Sequence, residues 1–222
     1  MKKYSNCPIC NSKNFKKVRE CIDYTVSKVS FTIVECNTCN FQFTNPIPVE
    51  NEIGKYYESE EYVSHSNTNK GLIFSLYQAI RNKTLKQKVK LIKNYSPAKT
   101  LLDIGCGTGE FLNTCQNSGI KVKGIEPSES ARKAAIKNYK LSIDGEEGLS
   151  DIKDSSIDAV SMWHVLEHVY HLNDRIKEID RVLQKDGTLF IAVPNRSSYD
   201  AKKYQNYWAA YDLPRHLYHF TP

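Results

Sequence analysis

The chain has 222 residues, 40% of them hydrophobic and 25% charged, with a formal net charge of +6. That size allows one good core, or one core plus a small metal-stapled appendage, and the composition is that of an ordinary globular protein. No run of eighteen apolar residues occurs and the start, MKKYSNCPIC, lacks an apolar signal region, so neither a membrane span nor a secretory leader is expected. The expected compartment is the cytoplasm, where seven cysteines stay reduced or metal-bound.

The first element is a pair of C-x-x-C turns, Cys7 to Cys10 and Cys36 to Cys39. Two residues between cysteines let both sulfurs face one point, and two such turns supply a tetrahedral S4 site that suits zinc. The runs KKVREC and SKVSFTIVEC between them are strand-like, which is the layout of a zinc ribbon. A redox motif would not need the second pair. So short a segment cannot fold on apolar burial alone, and four ligands close the site, making the metal structural. Four thiolates with one zinc ion lower the formal charge from +6 to +4. Cys21 and Cys115 fall outside the pattern and read as small buried residues.

Pro46 and Pro48 mark a hinge, and a boundary is placed near residue 48. Residues 52–80 are expected to form helices over a ligand mouth, with Tyr62 and His65 as lid contacts. Next comes an amphipathic helix in which Leu85, Val89 and Ile92 point inward. Arg81, Lys83, Lys86, Lys88, Lys90 and Lys93 form its basic face, read as solvated rather than as a nucleic-acid surface. The expected division is a ribbon at 1–48, a helical linker at 49–98 and a ligand-binding domain at 99–222.

From residue 99 strands and helices alternate. TLLDI, KVKGIE, LSID, IDAVSM and TLFIAV are short apolar runs, separated by EFLNTCQNSG, SESARKAAIKN and NDRIKEIDRVLQK. This rhythm predicts an α/β fold with a parallel sheet covered by helices. Ile176, Ile179, Val182 and Leu183 are assigned to one face of the last helix.

The turn after the first of these strands reads LLDIGCGTGEF. Gly105, Gly107 and Gly109 let backbone lie against a ligand, but residue 110 is Glu where the dinucleotide pattern needs a third glycine. Asp103 beside the turn opposes a pyrophosphate and suits a cationic ligand. Glu126, ending the second strand, is placed for the two hydroxyls of a ribose. A nucleoside carrying positive charge, such as S-adenosylmethionine, fits both acids.

With GIEPS and RVLQKDGTLFIAVPN in register, residues 100–193 closely resemble the class I S-adenosylmethionine-dependent methyltransferases. CPIC…CNTCNFQFTNPIP and NYWAAYDLPRHLYHF look like a bacterial subgroup of that family with an N-terminal zinc ribbon. The resemblance implies a Rossmann-like sheet. It sets Gly105, Gly107 and Gly109 at the methionine end of the cofactor, Glu126 at the ribose, and Pro127 and Ser128 beside the adenosine. Asp144 or Glu146 falls at the adenine amine. Cys106 within the turn, and Trp163 with His164 after the fourth strand, join the cofactor-binding group. Relatives continue past HFTP into further strands, so the sheet reads as shortened at its C-terminal end.

SMWHVLEHVYH spells H-x-x-E-H at His164, Glu167 and His168, the pattern of one class of zinc peptidase. It follows a strand at the ligand end of an α/β sheet, and no further ligand or peptide cleft is marked. The peptidase reading is therefore set aside. Beside the bland reading, in which these residues pack and cap, the catalytic reading makes His164 or His168 the base toward a methyl acceptor and Glu167 its orienting group. Tyr199 would add a second polar group, and Arg215 and His216 would bind an anionic or sugar acceptor. Trp208, Tyr211 and Tyr218 are at least as well explained by packing. The expected activity is methylation of a small-molecule or glycan-linked acceptor. Its rivals are an RNA methyltransferase gripping nucleic acid with the ribbon, for which the absent [ND]-P-P-[YF] motif argues against base-amine methylation but leaves ribose or carbon targets open, and a non-catalytic cofactor-binding protein. The sequence assigns no oligomeric state.

Overall fold

A computed structural model describes residues 1–57 and 72–222, the side chains of 72–77 excepted, so the lid expectation for Tyr62 and His65 lies outside the described residues. The chain divides into two compact units. One comprises 1–69, 166–173 and 193–222, the other 70–165 and 174–192. Boundaries at 48 and 98 assigned 166–173 and 193–222 to the parallel-sheet domain, whereas these segments pack with the ribbon.

The ribbon unit is built on an antiparallel sheet of β1 (Phe15–Ile22), β2 (Ser30–Cys36), β3 (Gln42–Thr44) and β9 (Tyr218–His219), in that order. Register runs from Phe15 opposite Cys36 to Ile22 opposite Ser30, and β9 joins through Gln42 opposite His219 and Phe43 opposite Tyr218. In β2, Phe31, Ile33 and Val34 are buried while Thr32 and Glu35 are less so. Phe31, Ile33, Cys21, Tyr211 and Leu213 form one apolar cluster, with Trp208 packed against it. Each such side chain contributes about 1.5–3 kcal/mol of burial. Within RHLYHF, Tyr218–His219 is therefore a short strand of the ribbon sheet, and Tyr211 and Tyr218 serve as packing groups. Tyr199 opens a short helix, α5 (Tyr199–Tyr204), capped by Ser198.

The second unit carries five parallel strands: β4 (Thr100–Ile104), β5 (Lys121–Ile125), β6 (Ile143–Asp144), β7 (Ile157–Trp163) and β8 (Leu183–Ala192), ordered β6-β5-β4-β7-β8. Helix α1 (Leu72–Tyr95) precedes β4, and α2 (Glu110–Gln116), α3 (Glu129–Tyr139) and α4 (Leu172–Val182) follow β4, β5 and β7. Ile92, Leu101, Leu112, Cys115 and Ala159 are among its fully buried core residues. In α4, Ile179 and Val182 are buried but Ile176 is exposed, and Leu183 has already entered β8, which starts five residues before the expected Thr188. Gln184, Lys185 and Asp186 are exposed there, so a partly solvated strand tolerates polar residues, two of which the sequence reading places at the end of the helix.

Candidate functional site

The chain turns at the carboxyl end of β4, where open α/β sheets bind their ligands. Gly105, Gly107 and Gly109 all adopt left-handed backbone, φ +73°, +56° and +83°. A Cβ on Gly105 would stand 2.3 Å from the Val165 side chain, and one on Gly109 would stand 2.7 Å from Leu141. A Cβ on Gly107 would meet nothing within 4 Å. The first and third glycines thus admit packing, while the second borders open space. That space is a cavity of about 470 Å³, whose lining includes Lys88, Asp103, Gly105, Gly107, Phe111 and Trp163.

Glu126 ties the turn to the next strand end. Its carboxylate accepts the Gly107 N–H at 2.8 Å and the Ser128 N–H at 2.9 Å. Ser128 caps α3 with its hydroxyl, and Arg132 donates to the Glu126 and Pro127 carbonyls. Asp103 is 2% exposed and accepts a hydrogen bond from Ser161 at 2.5 Å. Burial pushes its carboxyl up to about 7 against the opposing influence of Ser161 and Lys88. Cys106 also lines the cavity, but burial, with Asp103 and Glu126 nearby, raises its thiol and leaves it unreactive.

One cavity residue, Lys88, departs from its sequence reading as part of a solvated face, while Trp163 lines the cavity. Lys88 is half-buried, its Nζ 4.3 Å from the Trp163 ring centroid and 5.6 Å from that of Phe111, so one residue of the basic face turns inward. Its neighbours Lys83, Lys86 and Lys90 remain exposed as expected. Trp163 packs edge-on to Phe111, and its buried Nε1–H has no partner among the described residues, a donor left for a ligand acceptor. Lys88 sits three positions beyond Leu85 on the helix, a helical spacing that would have placed it at the edge of the apolar stripe. The acids expected at the adenine end are already engaged: Asp144 pairs with Lys123 at 3.0 Å, and Glu146 pairs with Arg175.

These features fit S-adenosylmethionine: a Cβ-free backbone cradle, a carboxylate at the second strand end, a dry carboxylate near neutrality in pKa and an orphan indole N–H. Neither a phosphate-binding lysine motif nor the dinucleotide glycine spacing is present.

The four cysteines gather in the ribbon unit with their sulfurs mutually within 4.8 Å; Cys7 to Cys39 is 3.6 Å and Cys10 to Cys36 is 3.5 Å. These distances exceed a disulfide's length of about 2.05 Å and approach the edge of a zinc–thiolate tetrahedron, about 3.8 Å for 2.3 Å bonds. Each pair is followed by Asn in left-handed backbone, Asn11 at φ +60° and Asn40 at φ +60°, which closes the knuckle. The Cys36 thiol is lowered although burial opposes it, because the Cys39 and Thr38 N–H groups point at it.

The H-x-x-E-H stretch does not form a helix. His164 is exposed at φ +60°, its N–H bonded to the Ala192 carbonyl at 2.8 Å, while Leu166–His168 is a 3-10 turn. The motif is split between the units, His164 falling in the second, Glu167 and His168 in the ribbon unit. A peptidase helix, which would hold both histidines on one face, is absent from it. Glu167 and His168 instead meet His216, with one ligand atom of each within 4.8 Å of the others. Burial lowers both imidazoles, His216 to about 4, with the neighbouring His168 adding to its shift.

Two expectations are corrected. Arg215 is 2% exposed and is spent on Asp23 at 3.2 Å and, bidentately, on Asp212 at 2.9 and 2.6 Å, so it offers nothing to an anionic acceptor. Tyr199 is 75% exposed and its ring contact is with Lys203, so α5 presents it to solvent rather than to a site.

The chain is 34% identical over 134 residues to a ubiquinone biosynthesis O-methyltransferase of Pelagibacter ubique, covering 54% of this chain and 55% of that protein. It is 28% identical to a ubiquinone/menaquinone biosynthesis C-methyltransferase of Campylobacter jejuni, over 58% of this chain and 57% of that one. It thus spans a little over half the length of these curated relatives. Among solved structures, an S-adenosylmethionine-dependent methyltransferase from Archaeoglobus fulgidus superposes with a TM-score of 0.51 at 23% identity, covering 68% and 69% of the two chains. Another from Thermotoga maritima, described as a possible histamine N-methyltransferase, does so with 0.50 at 23%, covering 66% and 71%. These two share the fold. The family described as "Methyltransferase domain" (Methyltransf_23) matches residues 77–222, well over half of the chain, and this protein belongs to it.

Proposed function

We propose that the protein is an S-adenosylmethionine-dependent methyltransferase acting on a small-molecule or glycan-linked acceptor, with a structural zinc ion in its N-terminal ribbon. The observation that carries the reading is the Gly105–Gly109 turn, bracketed by buried Asp103 and by Glu126. When bound, the cofactor supplies an electrophilic methyl on a positively charged sulfur. Asp103 then provides the negative charge in a dry site, where it acts more strongly than in water. Glu126 accepts from the ribose hydroxyls with the lone pairs its two backbone bonds leave open. The Trp163 Nε1–H finds an acceptor, and Lys88 moves from beside Asp103 or is electrostatically displaced.

His164, the one catalytic candidate that falls in the cofactor unit, is the base we assign to the acceptor's proton. Small-molecule acceptors are supported by the two curated relatives, both named for quinone biosynthesis. Cys7, Cys10, Cys36 and Cys39 hold the metal as thiolates, which accounts for a sheet this small being stable. No helix of the described residues is long and apolar enough to cross a membrane.

The test is methyl transfer from radiolabelled donor across a panel of phenolic, quinol and sugar acceptors, with RNA included. Label in a small molecule that disappears in His164→Ala, while donor binding persists, supports the assignment. Label in RNA alone would overturn the acceptor class.

A further inference from the structure

The cluster of Glu167, His168 and His216 has a feature that neither catalysis nor packing requires. Both imidazoles have the same nitrogen committed to a backbone carbonyl: His168 Nδ1 to Arg215 O at 3.0 Å, and His216 Nδ1 to Ala210 O at 2.9 Å. A carbonyl only accepts, so each Nδ1 carries the hydrogen and each Nε2 keeps its lone pair. Tyr57 lies 3.0 Å from His168 Nδ1 as a second partner on that side. This carbonyl-fixed tautomer is the arrangement that orients metal-ligating histidines.

The rings stand close, 4.6 Å between centroids at 76°, and His216 Nε2 lies 4.0 Å from Glu167 Oε1. Glu167 is fully buried at 0% exposure. An imidazole lone pair thus faces a carboxyl oxygen across 4.0 Å, and both atoms are of the kind that ligate a divalent ion. The charge around them points the same way. Asp212 Oδ2 is 3.9 Å from His216 Nε2, and Asp23 is buried against Arg215.

We infer that Glu167, His168 and His216 form a second metal site, a two-histidine, one-carboxylate set for a divalent ion of the zinc or cobalt type. Nitrogen and oxygen donors of this kind suit such ions. Spacings up to 4.8 Å must contract toward about 3.4 Å for bonds near 2.1 Å, a closure of up to about 1.4 Å shared among three side chains. Three protein ligands leave a coordination position open for an oxygen ligand, water or a hydroxyl-bearing small molecule, unlike the closed four-cysteine site. The residues are two members of the H-x-x-E-H stretch and one from the C-terminal segment, so only the fold assembles the set.

The full chain, with zinc in the ribbon, is titrated with cobalt(II) and its metal content measured after dialysis against metal-buffered zinc. The expected result is two metals per chain. The second shows visible cobalt d–d bands without the thiolate charge-transfer band that marks the ribbon. His216→Ala and Glu167→Gln each drop the content to one and abolish those bands, while Cys36→Ser leaves them. A native chain that binds one metal, carried entirely by thiolate bands, overturns the proposal, and so does a His216→Ala variant that still binds two. Should His216→Ala fail to fold, the native cobalt spectrum decides alone.

Discussion

Substituting Gly107 and Gly119 by Ala separates backbone strain from cofactor obstruction. Both residues are left-handed, at φ +56° and +85°, and an added Cβ at either meets nothing within 4 Å. Each substitution should therefore cost about 1–2 kcal/mol of conformational energy, reduced by the smaller entropy of the unfolded chain. At about 2–4 °C per kcal/mol for a chain of this size, the two thermal midpoints should fall by similar small amounts. Only the Gly107 methyl enters the cavity that Asp103, Trp163 and Phe111 line. Calorimetric titration with S-adenosylmethionine should find the Gly119 variant unchanged and the Gly107 variant at least tenfold weaker, about 1.4 kcal/mol. Equal affinities would show that the second glycine does not touch the cofactor and would refute the cradle.

Glu126→Ala should weaken cofactor affinity by about 1–3 kcal/mol through loss of charge-assisted hydrogen bonds, read by the same titration. Burial raises the Asp103 carboxyl to about 7, so the folded chain holds a proton between the usual carboxylate range and neutrality; its contribution to stability declines as pH rises through that window and is flat above it. A cationic ligand prefers the ionised form, so affinity should rise through pH 7 with proton release, measured in buffers of differing ionisation enthalpy; a flat profile would contradict this. Asp23 is held below its usual range: burial opposes, but the Ser27 and Val26 N–H groups, the Ser27 hydroxyl and Arg215 prevail. Its contribution is present above that range and lost as pH falls through the lowered value, and Asp23→Asn should cost about 1–3 kcal/mol by removing a charged acceptor from Arg215, which keeps Asp212, and from the Ser27 and Val26 N–H groups. Chelation of the ribbon metal should raise hydrogen exchange in residues 1–57 and in 193–222, which share its sheet and unit, while β4 and β7 stay protected.

The parallel sheet was legible because its strands are short continuous apolar runs ended by glycines and acids, a pattern that buried strands impose. The cysteine cluster was legible because C-x-x-C spacing is a local property of a turn. The glycine cradle and Glu126 were legible for the same reason, each lying where a strand ends. What the sequence hid depends on distant pairing. Nothing in LYHF announces that Tyr218 will lie beside Phe43, 175 positions earlier by their numbering, or that Arg215 will reach Asp23. Arg215 and Tyr199 looked like acceptor contacts because polar residues after a strand often are. Burial of one and exposure of the other are decided by tertiary neighbours. The H-x-x-E-H spelling, set aside as a peptidase motif, forms no such helix, because φ +60° at His164 breaks the backbone before one starts.

The central claim, that the turn after β4 binds a positively charged adenosine derivative, is tested most directly by calorimetric competition between S-adenosylmethionine and NAD on the native chain. The account predicts a single site for S-adenosylmethionine, weakened by Glu126→Ala and untouched by excess NAD. Saturable NAD binding that Glu126→Ala abolishes, with no heat from S-adenosylmethionine, would contradict it.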